Sequence, residues 1–232
     1  MVNNSLLSTR INHFIMKKFI LFFALFLVFS GSLTAQTTGK AGVQQKQRSG
    51  FGVKGGYNIA RYTGSSPSFR PDTKNGFMAA AFYSPQSRAL IGYRSELVFS
   101  RQGFGFDDAG KASSITSDYL YLPQFTTINI TRFVQLQAGG QIGYLLRSSK
   151  QTAEETSGDI TSLANRIDYG AAFGLELYPF KGLILGGRYN MSFGDTYKPA
   201  QLAPGIPSPL PFNPSDVKGK NAVINFFVGY RF

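Results

Sequence analysis

Histidine and cysteine most often supply the bases, nucleophiles and soft metal ligands of enzyme sites, and this chain has almost neither. Its 232 residues include no cysteine and one histidine, His13. Without cysteine there is no disulfide, thiolate metal site or lipidated N-terminal cysteine. His13 precedes a stretch that reads as a cleaved export signal, so the exported part would hold no imidazole. That removes Ser-His-Asp chemistry, histidine metal sites and the commonest general base. No enzyme activity, cofactor or metal is expected. Two glycine-rich stretches imitate nucleotide motifs. Gly50-Phe51-Gly52-Val53-Lys54-Gly55 matches G-x-G-x-x-G but lies inside a strand-like segment with no helix after it. Gly105 to Lys111 imitates a phosphate loop, yet Ala112 stands where Ser or Thr is required. The acids Asp107-Asp108 and Glu154-Glu155-Asp159 could hold a divalent cation loosely. A solvated loop surface is the plainer reading.

Seven other charged residues are placed differently. Lys54, Arg94, Glu96, Asp168, Glu176, Arg188 and Arg231 each sit on the polar face of an alternating segment. If those faces line a narrow interior, four cations and three anions must pair there in one hydrogen-bonded network, because an isolated buried charge is very costly. Their expected role is structural.

The elements that carry them recur at period two. They are Phe51 to Ile59, Gly76 to Tyr83, Leu90 to Gln102, Asp118 to Asn129, Val134 to Leu146, Arg166 to Tyr178, Leu183 to Phe193, and Asn221 to the end. Pro123 blurs the register of the fourth and would suit a bulge. Short connections follow Ser84, Asn129 and Pro179. Long ones run over Arg61 to Asn75, Gly103 to Ser117, Arg147 to Asn165 and Gly194 to Lys220. The last is stiffened by Pro199, Pro204, Pro207, Pro209, Pro211 and Pro214. Short turns alternating with long loops are the pattern of an outer-membrane barrel, and an even strand count puts both ends in the periplasm. In the closing segment Phe226, Val228, Tyr230 and Phe232 share one face, with Asn225, Phe227, Gly229 and Arg231 opposite. A bare apolar edge invites pairing with other chains, whereas a closed barrel has no edge.

Alternation alone also fits a soluble barrel. Lipid outside is favoured because the apolar faces carry almost no charge, Arg101 near a strand end being the exception. Glycine crowds the polar faces, and aromatics such as Phe51, Tyr83, Phe133, Tyr189 and Phe193 sit at segment ends, where interfacial girdles belong. Mean hydropathy is −0.08, as expected when lipid-facing and inward residues cancel. Ahead of the barrel, Lys17-Lys18, the apolar run Phe19 to Phe29 and the small residues Ser30 to Ala35 read as a signal peptide over 1–35. Cleavage is expected before Gln36, and Met16 is an alternative start. Residues 36–49 read as a polar, disordered periplasmic lead-in. The expected fold is therefore all-β, an eight-stranded antiparallel up-and-down transmembrane barrel over 50–232. Its interior should be plugged, since eight strands leave room only for side chains. The net charge of +12 falls to +9 beyond position 35 (21 basic, 12 acidic). The basic residues are scattered, so nucleic acid is not expected. Attraction to anionic lipid and lipopolysaccharide is.

The strand texts resemble the small PorT-like outer-membrane barrels of Bacteroidetes. The matching pieces are Phe51-Gly52-Val53-Lys54-Gly55-Gly56-Tyr57-Asn58, Ser95 to Gly103, Tyr119-Leu120-Tyr121-Leu122-Pro123, Asp168-Tyr169-Gly170 and Gly229-Tyr230-Arg231-Phe232. Tyr121 stands where that family usually has an acidic residue. The resemblance implies a barrel without a shared catalytic site. The family's namesake is implicated in secretion across the outer membrane, and the leading expectation here is a monomeric structural or interaction barrel whose loops or lead-in touch a secretion or envelope-assembly partner. Phe226, Val228, Tyr230 and Phe232 look like the C-terminal signal read by the barrel-assembly machinery. The other functions weighed are a narrow channel for small solutes and a surface adhesin acting through the long loops.

Overall fold

The computed structural model describes residues 50–63, 69–85, 90–108, 110–152, 155–198 and 219–232. The signal peptide, the lead-in and the six loop prolines lie outside the described residues. Among the described residues nine strands run in chain order: β1 (Gly50–Tyr62), β2 (Asp72–Ser84), β3 (Ile91–Asp108), β4 (Lys111–Asn129), β5 (Val134–Thr152), β6 (Glu155–Asp159), β7 (Ile167–Leu177), β8 (Leu183–Ser192) and β9 (Asn221–Arg231). Eight of them close a ring, each antiparallel to its neighbour, with β9 pairing back onto β1. The short β6 stands outside the ring and pairs only with the far end of β5.

The stagger of the ring follows from the ladders. From Phe51 the partners run Tyr83, Ser95, Gln124, Gly140, Ala171, Met191 and Ala222, and return to β1 at Arg61. One circuit therefore climbs ten residues (61 − 51). Eight strands with that shear tilt by about 35–45° and leave an interior that side chains fill.

Apolar side chains point out all the way round. Phe51 is 67 % exposed, Phe226 56 % and Tyr169 53 %, values that a water-facing surface would not carry in a continuous band. Aromatic pairs cluster at the ends of this band, among them Phe51 with Tyr83 at 4.8 Å and Tyr230 with Phe232 at 5.5 Å. Inside, glycine makes room for larger neighbours. A side chain at Gly143 would overlap the ring of Tyr121.

Four features depart from the sequence reading. Gly103 to Ser117 is no loop but the tip of a hairpin, paired from Ile91–Ile128 to Asp108–Lys111 and turned at Gly110, whose φ is +81°. The glycines at 103 and 105 hide a continuing alternation in which Phe104, Phe106 and Ile115 turn inward. Much of Arg147 to Asn165 is likewise strand, shared between β5 and β6. The bulge is not at Pro123. There the β3–β4 ladder skips two pairs and keeps its register, whereas the β4–β5 register shifts between Asp118 and Tyr119, leaving Leu146 as the extra residue. Finally, the interior is not polar throughout. Beyond the middle of the barrel Tyr62, Phe69, Phe104, Phe106, Ile115, Tyr119, Leu145, Ile160 and Tyr197 form a buried apolar cluster. The long β3, β4 and β5 supply most of it, and chain around 160–165 and 196–198 closes over it, joined by the Ala164–Tyr197 bridge.

Candidate functional site

Four strands bring five charges together near the end of the barrel that holds the chain's C-terminus. Lys54 comes from β1, Arg94 and Glu96 from β3, Glu176 from β7 and Arg188 from β8. All five are buried. Lys54 Nζ donates to Glu96 Oε1 at 2.5 Å and to Glu176 Oε1 at 2.6 Å. Arg188 grips Glu96 with two parallel bonds, Nη1 to Oε2 at 2.8 Å and Nη2 to Oε1 at 3.0 Å. Arg94 Nη1 donates to Glu176 Oε2 at 2.6 Å, and its Nη1 is 3.9 Å from Glu96. Paired and bidentate geometry is what makes such charges tolerable in a dry interior.

Three cations face two carboxylates, so the cluster carries one excess positive charge. Neutral acceptors and aromatic faces absorb it. Gln135 Oε1 and Tyr178 Oη accept from Arg94 Nη2, Ser84 Oγ from Arg94 Nε, and Gln137 Oε1 from Arg188 Nη2. Phe82 lies 4.9 Å from Lys54 Nζ and 4.6 Å from the Arg94 guanidinium, and Phe125 lies 4.3 Å from that of Arg188. A desolvated cation over a ring face gains about 2 kcal/mol.

Asp168 does not join the cluster, and Arg231 reaches it only through the Tyr178 hydroxyl. Asp168 sits higher, where its Oδ2 accepts from Tyr121 Oη at 2.7 Å and Ser192 Oγ at 2.6 Å. Arg231 lies at the mouth and donates to Tyr178 Oη at 3.3 Å. Of the seven expected charges, five thus pair directly, Arg231 is tied to them through Tyr178, and Asp168 stands apart at another height.

Several groups were missed from the sequence. Tyr178 is a hub, bonded to Arg94, Gln135, Glu176 and Arg231. Its even number, in phase with Asp168 and Glu176, already placed it inward. A row of amides crosses the middle: Asn225 Nδ2 donates to Asn58 Oδ1 at 2.6 Å, Asn58 Nδ2 to Ser100 Oγ at 3.0 Å, and Asn190 Nδ2 to Asn225 Oδ1. Beside it lies a cavity of about 20 Å³, room for roughly one water, between Gln102, Tyr121, Gln141 and Arg188. Charged cluster, amide row and apolar cluster together fill the barrel along its length.

Two of the acids considered for cation binding, Asp107 and Asp159, accept from backbone amides. Asp107 Oδ1 accepts from the Gly110 amide at 2.6 Å. Asp159 Oδ1 accepts from the Thr161 amide at 2.8 Å, and the Thr161 hydroxyl and amide hold its carboxyl below the usual range. Glu154 and the side chains of Asp108 and Glu155 lie outside the described residues. Among the described residues no three His, Cys, Asp or Glu side chains cluster as metal ligands. The G-x-G-x-x-G stretch lies in β1, and the phosphate-loop imitation spans the β3–β4 tip, with no helix after either. Phe226, Val228 and Tyr230 point outward on β9, and the Phe232 amide donates to Phe51 O at 2.9 Å across the closing seam.

No curated protein matches this chain significantly. Among solved structures, Ail of Yersinia pestis, crystallised with the heparin analogue sucrose octasulfate, is 15 % identical with a TM-score of 0.44, covering 80 % of this chain and 100 % of that one. Neisserial surface protein A is 12 % identical with a TM-score of 0.46 over 78 % of this chain and 97 % of that one. OprG of Pseudomonas aeruginosa is 12 % identical with a TM-score of 0.44 over 82 % and 99 %. Likeness at this level does not extend to function. A family model, described as the outer membrane protein beta-barrel domain, matches residues 34–198. With that match over most of its length and an eight-stranded ring banded in apolar side chains, the chain belongs to the outer membrane protein beta-barrel domain family.

Proposed function

We propose that this outer-membrane barrel conducts nothing and works as a structural or interaction protein, through the surfaces it presents beyond the bilayer. The filled interior carries this reading. A solute would have to break the Lys54–Glu96–Arg188–Glu176–Arg94 cluster, cross the amide row and pass the apolar cluster. The strands are also unequal. β3, β4 and β5 have 18, 19 and 19 residues, while β7 and β8 have 11 and 10. About 9–11 tilted residues cross a bilayer. The surplus of the three long strands therefore projects as a wall, extended by β6, and gives a partner a rigid face to meet.

In this reading the end with the long strands faces the outside, and both termini, with the brief turns at 130–133 and 178–182, face the periplasm. The finer role is PorT-like: an accessory to protein secretion or envelope assembly. Phe226, Val228, Tyr230 and Phe232 are the signal for the barrel-assembly machinery. Cross-linking mass spectrometry on intact outer membranes tests this. Reproducible links from the wall, or from the periplasmic turns, to secretion or envelope-assembly proteins are expected. Links to itself alone would leave a self-contained barrel and remove the accessory role.

A further inference from the structure

Just beyond the apolar band, on the end that the proposed orientation turns outward, the barrel wall becomes basic. Arg61 stands two residues past Ile59 on β1, and Arg101 two past Phe99 on β3. Arg147 on β5 is paired with Asp118 on β4. Arg101 is already engaged. Its Nε and Nη2 donate to the two oxygens of Asp118 at 2.7 and 2.8 Å, and its guanidinium lies 5.3 Å from the Phe77 ring.

Lys74 is not engaged in that way. Its Nζ donates to Ser114 Oγ at 2.8 Å and Thr116 Oγ1 at 2.6 Å, and among the described residues no carboxylate pairs with it. To reach those β4 hydroxyls from β2 it must cross β3. The β3 residues paired with them are Gly105 and Gly103, which carry no side chain to obstruct it. Asp72 borders Gly105 without pairing with Lys74. An ammonium has three N–H donors, and here two are spent on hydroxyls. Each hydroxyl accepts from Lys74, so its own hydrogen is turned away and free to donate. Lys74, Ser114 and Thr116 thus hold three donors ready, with Arg101 beside them and Phe77 and Phe99 directly below. These donors stand at the height where headgroups meet the apolar band.

We propose that Lys74, Ser114 and Thr116, beside the Asp118-paired Arg101, bind the phosphate of an outer-leaflet glycolipid, whose acyl chains lie along the Phe77–Phe99 face. The assignment rests on the outward orientation of this end. Free phosphate offers the same oxygens but no chains to cover the rings, so the lipid is the better ligand.

Native mass spectrometry of the full-length barrel in detergent micelles tests the site, with diphosphoryl lipid A, its dephosphorylated form and inorganic phosphate as probes. The diphosphoryl lipid should be retained and the dephosphorylated form released. Equimolar inorganic phosphate should not displace the lipid. Lys74→Gln should weaken retention about tenfold, the scale of one charge-assisted hydrogen bond. Thr116→Val, nearly isosteric, reads the same site if Lys74→Gln does not fold. Equal retention of both lipids, displacement by inorganic phosphate, or wild-type retention by both variants would overturn the proposal. Orientation is scored separately. The chain has no cysteine, and Ser162 is exposed on the long-strand end. Ser162→Cys should react with a membrane-impermeant maleimide on intact cells. Reaction only after lysis would overturn the orientation and the outer-leaflet assignment, whatever the micelle titration shows.

Discussion

Arg94 has no exposed surface, yet it keeps its charge, because Glu176, Ser84, Gln135 and Tyr178 accept from its three nitrogens. Removing one carboxylate from the five-charge cluster should be severe. Glu176→Gln would leave three cations with Glu96 alone, and breaking a buried pair costs about 3–5 kcal/mol. Lys54→Met should cost less. It removes the excess charge and leaves Arg188 on Glu96 and Arg94 on Glu176, two balanced pairs. Urea unfolding in micelles, followed by the mobility shift between folded and heated protein, ranks the variants, and Glu176→Gln should unfold at the lower urea concentration. Asp168→Asn should be the mildest, about 1 kcal/mol, because the carboxamide oxygen still accepts from Tyr121 and Ser192. The Tyr121 hydroxyl donates to Asp168 directly, so an acidic side chain at position 121 would set two carboxylates against each other.

Among the elements, β9 bears two demands at once. It closes the ring on β1 and ends in the aromatic run proposed as the assembly signal. Deleting Phe232 should strongly lower the outer-membrane level of the protein, measured by fractionation and immunoblotting; a normal level would remove the signal role. Gly143→Val tests the interior of β5. Its side chain would meet the Tyr121 ring and cost about 1–3 kcal/mol as overpacking, read from the same urea curves. The membrane strands were legible in the sequence because lipid and interior demand opposite side chains at period two. The upper halves of β3 to β5 were not. Glycines at 103 and 105 interrupt the outer face, and the inner face there changes from polar to apolar, as in a small soluble core. Heights were also hidden. Period two shows that Lys54, Asp168 and Arg231 point inward, but only the ten-residue stagger decides which of them meet. Asn58 and Asn225 pair across the β1–β9 seam, 167 positions apart in sequence, and nothing local in either strand announces it.

The described residues between 50 and 232 form a closed barrel with its polarity inverted at the wall and its interior filled at three levels. Eight strands and a shear of ten leave a narrow bore, and the side chains from Arg94 up to Tyr62 occupy it. What distinguishes it outside is the raised β3–β4–β5 wall with β6 and the basic collar around Lys74. Such a barrel should resist detergent. Unboiled protein should migrate apart from boiled protein on detergent gels, and identical migration would argue for a soluble barrel. The central claim is that this interior passes no solute, and planar-bilayer recording of the purified, folded full-length protein tests it most directly. A silent membrane is expected in molar potassium chloride at moderate voltage. Reproducible ohmic steps that scale with the protein added would contradict it and make the barrel a channel.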